Sequence, residues 1–416
     1  MVGEARRTRG GRIPAATELI MRRAESSMRI LYASERPPYP FFLGGAARAA
    51  HMLLARIAAM PGAECAAAGS QDYAVSAWRY PDAAEFATLG VRAVDEAHAT
   101  LDCGYPIRLL PDFYQVLATE IERFRPDLVW AQLEGALPVL QTANRLGVRG
   151  LCFVHDAEFD PAEMRQIAAL DCHLVASSGF LADKVQRATG RRAEVVYPPA
   201  ELYFDTPGDP DGVVTMINPH PVKGLETLVE IARRLPAVNF LLQESWKLDD
   251  AALDTLHQRL AALPNVRFAH RVSDMRSVYR QTRLLIAPSR WEEGFGMVAL
   301  EAQSCGIPVI ASRRGGLPEA VGNGGLLIDD YLNADAWVRA IETVLGDAAG
   351  YRAYAERARR HAASDSFAPA ALARRLYAIV QGVPARPAWL AQTAFAARWR
   401  VRNWPLFGRL LRRLEN

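Results

Sequence analysis

Residues 283–327 read RLLIAPSRWEEGFGMVALEAQSCGIPVIASRRGGLPEAVGNGGLL. The apolar run Leu284 to Ala287 is short enough for a buried strand, and Pro288, Ser289 and the glycines beyond end regular structure. A helix fits Met297 to Cys305, with Gly306 as its stop and Pro308 just past it. Val309 to Ala311 reads as the next strand, and strand, helix and strand in this order build a parallel sheet. Glu293 stands in the loop ahead of the helix and Glu301 about one turn inside it, with Gly294-Phe295-Gly296 between. A helix start at the carboxyl edge of a parallel strand offers unpaired N–H groups and a positive dipole end, which suits a phosphate. Carboxylates beside such a place suit sugar hydroxyls instead. Either glutamate alone reads as a solvated surface acid. Two of them with seven residues between, around Gly-Phe-Gly, read as a site.

The string Glu293-Gly294-Phe295-Gly296, Glu301-Ala302, Cys305-Gly306, Pro308-Val309 and Gly315-Gly316-Leu317-Pro318-Glu319 resembles the signature of the retaining glycosyltransferases of family 4, which have the GT-B fold. The resemblance implies an α/β chain of two doubly wound Rossmann-like domains facing each other across a cleft. It further implies that Glu293 holds hydroxyls of the donor sugar and Glu301 the nucleotide ribose, with Gly294, Phe295, Gly296 and Met297 at the donor.

Length and composition fit this outline. A chain of 416 residues exceeds one ordinary core, so two domains are expected. Half the residues are hydrophobic and 23% are charged, and no apolar run approaches the roughly 20 residues needed to cross a bilayer. Residues 1–27 carry six arginines without a sustained apolar core, so they read as a disordered basic extension rather than a secretory signal, and a cytoplasmic protein is expected. Five cysteines, at 65, 103, 152, 172 and 305, suggest neither a disulfide framework nor a zinc site. The net charge of +3 is uneven: outside residues 1–27 and 386–416 the body holds 36 basic and 42 acidic residues, a net of −6. That argues against nucleic acid as a partner of the body and leaves the basic ends free to meet an anionic surface.

The first domain is expected over 28–196. Met28 to Ser34 opens it as a strand, a proline-rich loop and Gly44-Gly45 follow, and Leu53, Ile57 and Met60 mark one face of a helix. A glycine pair at a helix start lets a diphosphate approach the backbone, although a plain tight turn explains it equally well. The three spaced glycines of a dinucleotide site are absent. The resemblance places Gly44 and Gly45 near the donor phosphates. Further along, Glu134 to Leu146 reads as a helix and Gly150 to Val154 as a strand, at whose carboxyl end stand His155 and Asp156. Ligands of open parallel sheets lie at such ends, and a structural histidine is the even alternative. In the family a histidine here contacts the donor sugar.

Residues 197–212 are the expected hinge and 213–383 the expected donor domain. Lys223 precedes a helix from Leu225 to Leu235, and the resemblance gives it the donor diphosphate. Many family members carry an arginine five residues earlier, where this chain has Asn218; His220, Arg290, Arg313 and Arg314 are candidates to compensate. Ser273 is expected to cap the helix containing Met275, Val278 and Tyr279, and 350–381 reads as helix. Residues 384–416 form a basic amphipathic segment, expected either to pack back on the first domain or to lie on a membrane surface.

The resemblance thus implies a retaining enzyme that moves a sugar from a nucleoside diphosphate donor, of UDP or GDP type, to an acceptor by same-face attack. His155, Glu293 and Lys223 are the catalytic candidates. No metal and no cofactor beyond the nucleotide sugar is expected. The acceptor stays open among small natural products, lipid-linked sugars and polysaccharides. The alternatives are an epimerase or phosphorolytic enzyme of the same fold, and a non-catalytic nucleotide-sugar-binding or scaffold protein.

Overall fold

A computed structural model of the chain describes residues 27–382, apart from Leu43, 73–91, 96–99 and Lys247. The extension expected at 1–27, except Ser27, and the segment expected at 384–416 lie outside the described residues.

Two sheets carry the fold. The first contains β1 (Met28–Ser34), β2 (Ala63–Ser70), β3 (Arg92–Asp95), β4 (Thr100–Asp102), β5 (Pro106–Leu110), β6 (Leu128–Gln132), β7 (Arg149–Val154), β8 (Cys172–Ala176) and β9 (Glu194–Val195). Their spatial order is β3-β4-β5-β2-β1-β6-β7-β8-β9. From β5 to β9 every pair is parallel, while β3, β4 and β5 form an antiparallel edge. The central strands read as unbroken apolar runs because both faces are covered: Ile30 to Ala33 and Leu128 to Ala131 are buried throughout. Helix α1 (Gly45–Ala58) buries Leu53, Leu54 and Ile57, and α2 (Phe113–Phe124) buries Leu117 and Ile121. Helices α3 (Ala136–Arg145), α4 (Pro161–Ala169) and α5 (Gly179–Thr189) complete this half.

The second sheet contains β10 (Val213–Ile217), β11 (Phe240–Gln243), β12 (Val266–Ala269), β13 (Thr282–Ala287), β14 (Val309–Ser312) and β15 (Gly325–Ile328). It runs β12-β11-β10-β13-β14-β15, all parallel. This is the doubly wound order whose direction of winding reverses between its first and fourth strands, here β10 and β13, and ligands bind beyond their carboxyl ends. Helices α6 (Leu225–Arg234), α7 (Asp250–Leu260), α8 (Arg276–Tyr279), α9 (Met297–Ser304), α10 (Leu317–Val321), α11 (Ala334–Leu345) and α12 (Ala348–Ala362) surround it, and α13 (Pro369–Val380) follows.

Both sheets lie in one compact unit that ends at Arg374, and a second unit begins at Arg375. Residues 197–212 are built into the second half rather than strung free: Tyr197 stacks on Phe295 with ring centroids 5.0 Å apart, and the Tyr203 N–H donates to Ser304 Oγ at 2.8 Å.

Two local expectations are corrected. The N-cap of α8 is Met275, with no side-chain cap, rather than Ser273; just ahead of it Asp274 Oδ1 accepts the Arg276 N–H at 3.0 Å. The helix expected over 350–381 is two helices, parted by the short turn Asp365–Phe367, whose start Ser364 Oγ caps by accepting the Ser366 N–H. Ser364, Asp365 and Ser366 compete with the helical backbone for hydrogen bonds, and Pro369 then opens α13. Among the described residues no helix is long and apolar enough to cross a membrane.

Candidate active site

Where β10 and β13 part, their ends and the loops after them face the first domain across a cavity of about 270 Å³. Ile217, Asn218, Lys223, Ala287 to Ser289, Glu293, Gly294, Phe295, Gly296, Met297 and Val298 line it from the second half. Gly45, Ala46, His155, Asp156 and Ser177 line it from the first. Two glycines make this closeness workable. A Cβ on Gly294 would sit 1.8 Å from the His155 carbonyl oxygen, and Gly296, with φ of +112°, turns the chain into α9.

Lys223 and Glu293 meet. The Lys223 ammonium donates to both carboxylate oxygens of Glu293 at 2.8 Å, and the Ser289 hydroxyl donates to Oε1 at 2.8 Å. The Trp246 ring lies 4.7 Å from Lys223 Nζ, and the Trp246 N–H donates to Asn218 Oδ1 at 2.6 Å. Asn218 adopts φ of +62°, a left-handed conformation that asparagine tolerates better than most residues. It thus shapes the loop that brings Trp246 over Lys223.

His155 is 9% exposed and stacks on Phe153 with centroids 4.3 Å apart. Its Nε2 lies 3.1 Å from Gln132 Oε1, while Gln132 Nε2 donates to the Ala46 carbonyl at 3.1 Å. Because that amide turns its oxygen to the ring, Nε2 carries the hydrogen and Nδ1 is the acceptor. Burial pushes the His155 pKa down to about 3, so the ring is neutral. The Asp156 carboxyl moves the other way, raised first by desolvation and then by Glu134. His155 and Asp156 also line a second cavity of about 150 Å³ in the first domain, beside Glu134, Glu158, Asp160 and Glu163.

Not every candidate reaches the cleft. Gly44 precedes α1, and a Cβ there would meet the Phe42 ring at 2.3 Å; Gly45 is the one of the pair that faces the cavity, 3.6 Å from Met297 Sδ by the same construction. Glu301 is not among the lining residues. It lies 7% exposed along α9, accepting from the Tyr279 hydroxyl at 2.7 Å. Burial pushes its carboxyl up to about 7, partly offset by the Tyr279 bond and by Arg48 from the first domain. Of the candidates to stand in for a missing arginine, His220 Nδ1 accepts the Val222 N–H at 3.4 Å, Arg313 donates to Asp329 at 2.5 Å, and Arg314 lies 4.0 Å from Glu292. Gln132, Ser289 and Trp246 had no assigned part in the sequence reading. Gln132 ends a parallel strand, a position that marks it; Ser289 and Trp246 sit in loops with no periodicity to mark them.

Two parallel Rossmann-like domains with this cleft define the GT-B fold. Residues 206–361 match the family model described as Glycosyl transferases group 1. The chain is 32% identical over 269 residues to the D-inositol 3-phosphate glycosyltransferase of Rhodococcus opacus, an alignment covering 56% of this chain and 59% of that protein. In structure it is similar to Anabaena HepE in complex with UDP and glucose, with a TM-score of 0.68 at 18% identity over 85% of this chain and all of HepE. It is likewise similar to WaaG, a glycosyltransferase involved in lipopolysaccharide biosynthesis, with a TM-score of 0.61 at 15% identity over 85% of this chain and all of WaaG.

Proposed function

We propose that the chain is a cytoplasmic glycosyltransferase that moves a sugar from a nucleoside diphosphate donor to an acceptor with retention of anomeric configuration. The observation that carries this reading is the shared cavity, which sets Lys223, Glu293 and the start of α9 opposite His155 and Asp156. The group 1 match and the UDP held by HepE support a nucleotide sugar, of UDP or GDP type, as donor.

In this reading the diphosphate lies at the start of α9, where N–H groups and Lys223 offset its charge as the anomeric C–O bond breaks. The electron pair of that bond leaves with the diphosphate. The acceptor oxygen forms its new bond on the same face, and its proton passes to the departing phosphate oxygen. Glu293 and neutral His155 hold sugar hydroxyls from opposite sides, which fixes the ring for attack. Glu301, one turn along α9, is the candidate for the ribose. The smaller cavity beside His155 offers the acceptor a place rimmed by carboxylates, which suits a polyhydroxyl group.

A thermal-shift screen of nucleotides and nucleotide sugars, followed by turnover with the best donor with and without a chelator, tests the proposal. The expected result is a shift with one nucleoside diphosphate series and acceptor-dependent sugar transfer that chelation leaves unchanged. Donor isomerised or phosphorolysed without acceptor, or no nucleotide bound at all, would overturn it.

A further inference from the structure

Glu319 closes the signature stretch, yet it does not line the cavity. Its two carboxylate oxygens reach across to the first domain and accept the N–H groups of Gly179 at 2.8 Å and Phe180 at 2.9 Å. These are the first two N–H groups of α5, and Ser178 Oγ accepts the third, from Leu181, at 3.2 Å. Two of these three capping bonds are therefore supplied by the other domain. A carboxylate at a helix start is held by both hydrogen bonds and the dipole.

Both ends of this contact run directly to the site. On the second domain, the Gly316 N–H at the start of the Glu319 helix donates to the Glu293 carbonyl at 2.7 Å. On the first, the Ser177 N–H, two residues before Gly179, donates to the Val154 carbonyl at 3.0 Å, next to His155. Lys184, further along α5, adds an ion pair to Glu292 at 3.0 Å. The Glu319 contact thus spans the two residues that line the cavity from opposite domains.

We propose that Glu319 is a positioning residue: its grip on the start of α5 holds the domains at the separation that places His155 and Glu293 on one cavity. The kinetic part of this inference rests on the glycosyl-transfer reading, and the geometric part does not. The test is carried out on the full chain, with nitroxide pairs at the exposed positions Gln186 and Arg339 in a Cys103→Ser background, Cys103 being the least buried cysteine. Distance distributions are compared for the parent chain, Glu319→Gln, Glu319→Ala and Gly179→Pro. The last removes one N–H from a first helical position, where proline is tolerated, and leaves Glu319 intact. The expected result is a narrow short distance in the parent, a longer and broader one in Glu319→Ala and Gly179→Pro, and an intermediate one in Glu319→Gln, which keeps one acceptor. With the identified donor, kcat falls about tenfold or more in Glu319→Ala while nucleotide affinity stays within about twofold. Unchanged distances in all the variants overturn the inference, whatever reaction the chain performs. Longer distances with unchanged kcat overturn its kinetic part alone.

Discussion

Replacing Glu293 by glutamine tests whether Lys223 is held by its own site until a diphosphate arrives. Lys223 Nζ sits 2.8 Å from both carboxylate oxygens of Glu293, and the two side chains are 14% and 17% exposed. At an effective dielectric of about 20 and roughly 3.5 Å between charge centres, their Coulomb energy is about 5 kcal/mol. Desolvation of both ions offsets most of it, and the net worth of such a largely buried pair is on the order of 1–2 kcal/mol. An incoming diphosphate must share or break this pair to use the ammonium. Glu293→Gln removes the competing charge and leaves a partly buried ammonium in need of an anion. UDP or GDP should therefore bind the variant about tenfold more tightly, equivalent to roughly 1.4 kcal/mol, by titration calorimetry. Melting without ligand should come at a lower temperature, because one partner of a partly buried pair is gone. Turnover should fall if, as proposed, the carboxylate orients the sugar. If Glu293→Gln instead weakens nucleotide binding as much as Lys223→Ala does, the two groups do not compete, and the diphosphate role of Lys223 is wrong.

The other expectations are separable. Glu301 has its carboxyl pushed from an ordinary 4.5 up to about 7, so the native chain keeps this proton longer than the unfolded one. Its contribution is then full below about pH 4.5 and is lost as pH rises through about 7, a change on the order of 3 kcal/mol. The melting temperature of Glu301→Gln relative to wild type should accordingly rise between about pH 5 and pH 8; a constant gap would count against a buried, titrating Glu301. In the proposed reading the His155 ring reaches the sugar from the opposite domain, so His155→Ala should lower kcat while nucleotide affinity stays within about twofold. Since burial holds its pKa at about 3, the wild-type rate profile should lack an inflection near 6.5 from this group. Asn218→Arg should lower the melting temperature by a few degrees, through a left-handed arginine and the lost Trp246 bond, each about 1 kcal/mol. It should bring no gain in UDP affinity; tighter binding at unchanged stability would mean that charge alone was missing.

The strand and helix order was legible around residues 283–327 because a strand buried on both faces leaves an apolar run, and the Pro and Gly residues that punctuate it are equally local signals. Which of two adjacent glycines faces a cavity is not a local property. It depends on Phe42 filling the space beside Gly44 and on Met297 approaching Gly45 from another domain. The same holds for Lys223 and Glu293, separately readable as site residues but 70 positions apart, so that their mutual pairing leaves no trace in spacing. Ser273 is a competent cap by residue type, but the backbone turn of the loop places the helix start at Met275, two residues later, with no side-chain cap. Gln132 is the instructive case. Its strand end is marked in the sequence, but its work, fixing the tautomer of His155 while holding the start of α1, needs three elements to meet.

The charge balance of the cleft gives Asn218 a meaning beyond the loss of an arginine. Lys223 is already matched by Glu293, and Asp156 adds a carboxylate whose ionisation is disfavoured by burial and by Glu134. Arg313 is paired with Asp329, and Arg314 lies near Glu292 and the Tyr331 ring. Among the described residues Lys223 is the lysine or arginine that lines the cavity, so in this reading a bound diphosphate would meet it and the N–H groups at the start of α9, which act as about half a positive charge. Donor binding in this reading is an exchange: the phosphates draw Lys223 away, and Glu293, released, becomes free to take sugar hydroxyls. An added arginine at position 218 would bind phosphate without that exchange, and it would disturb the loop that lays Trp246 against Lys223. In the proposed reading the ion pair links recognition of the leaving group to orientation of the sugar, a coupling that disappears if Glu293→Gln leaves nucleotide affinity unmoved.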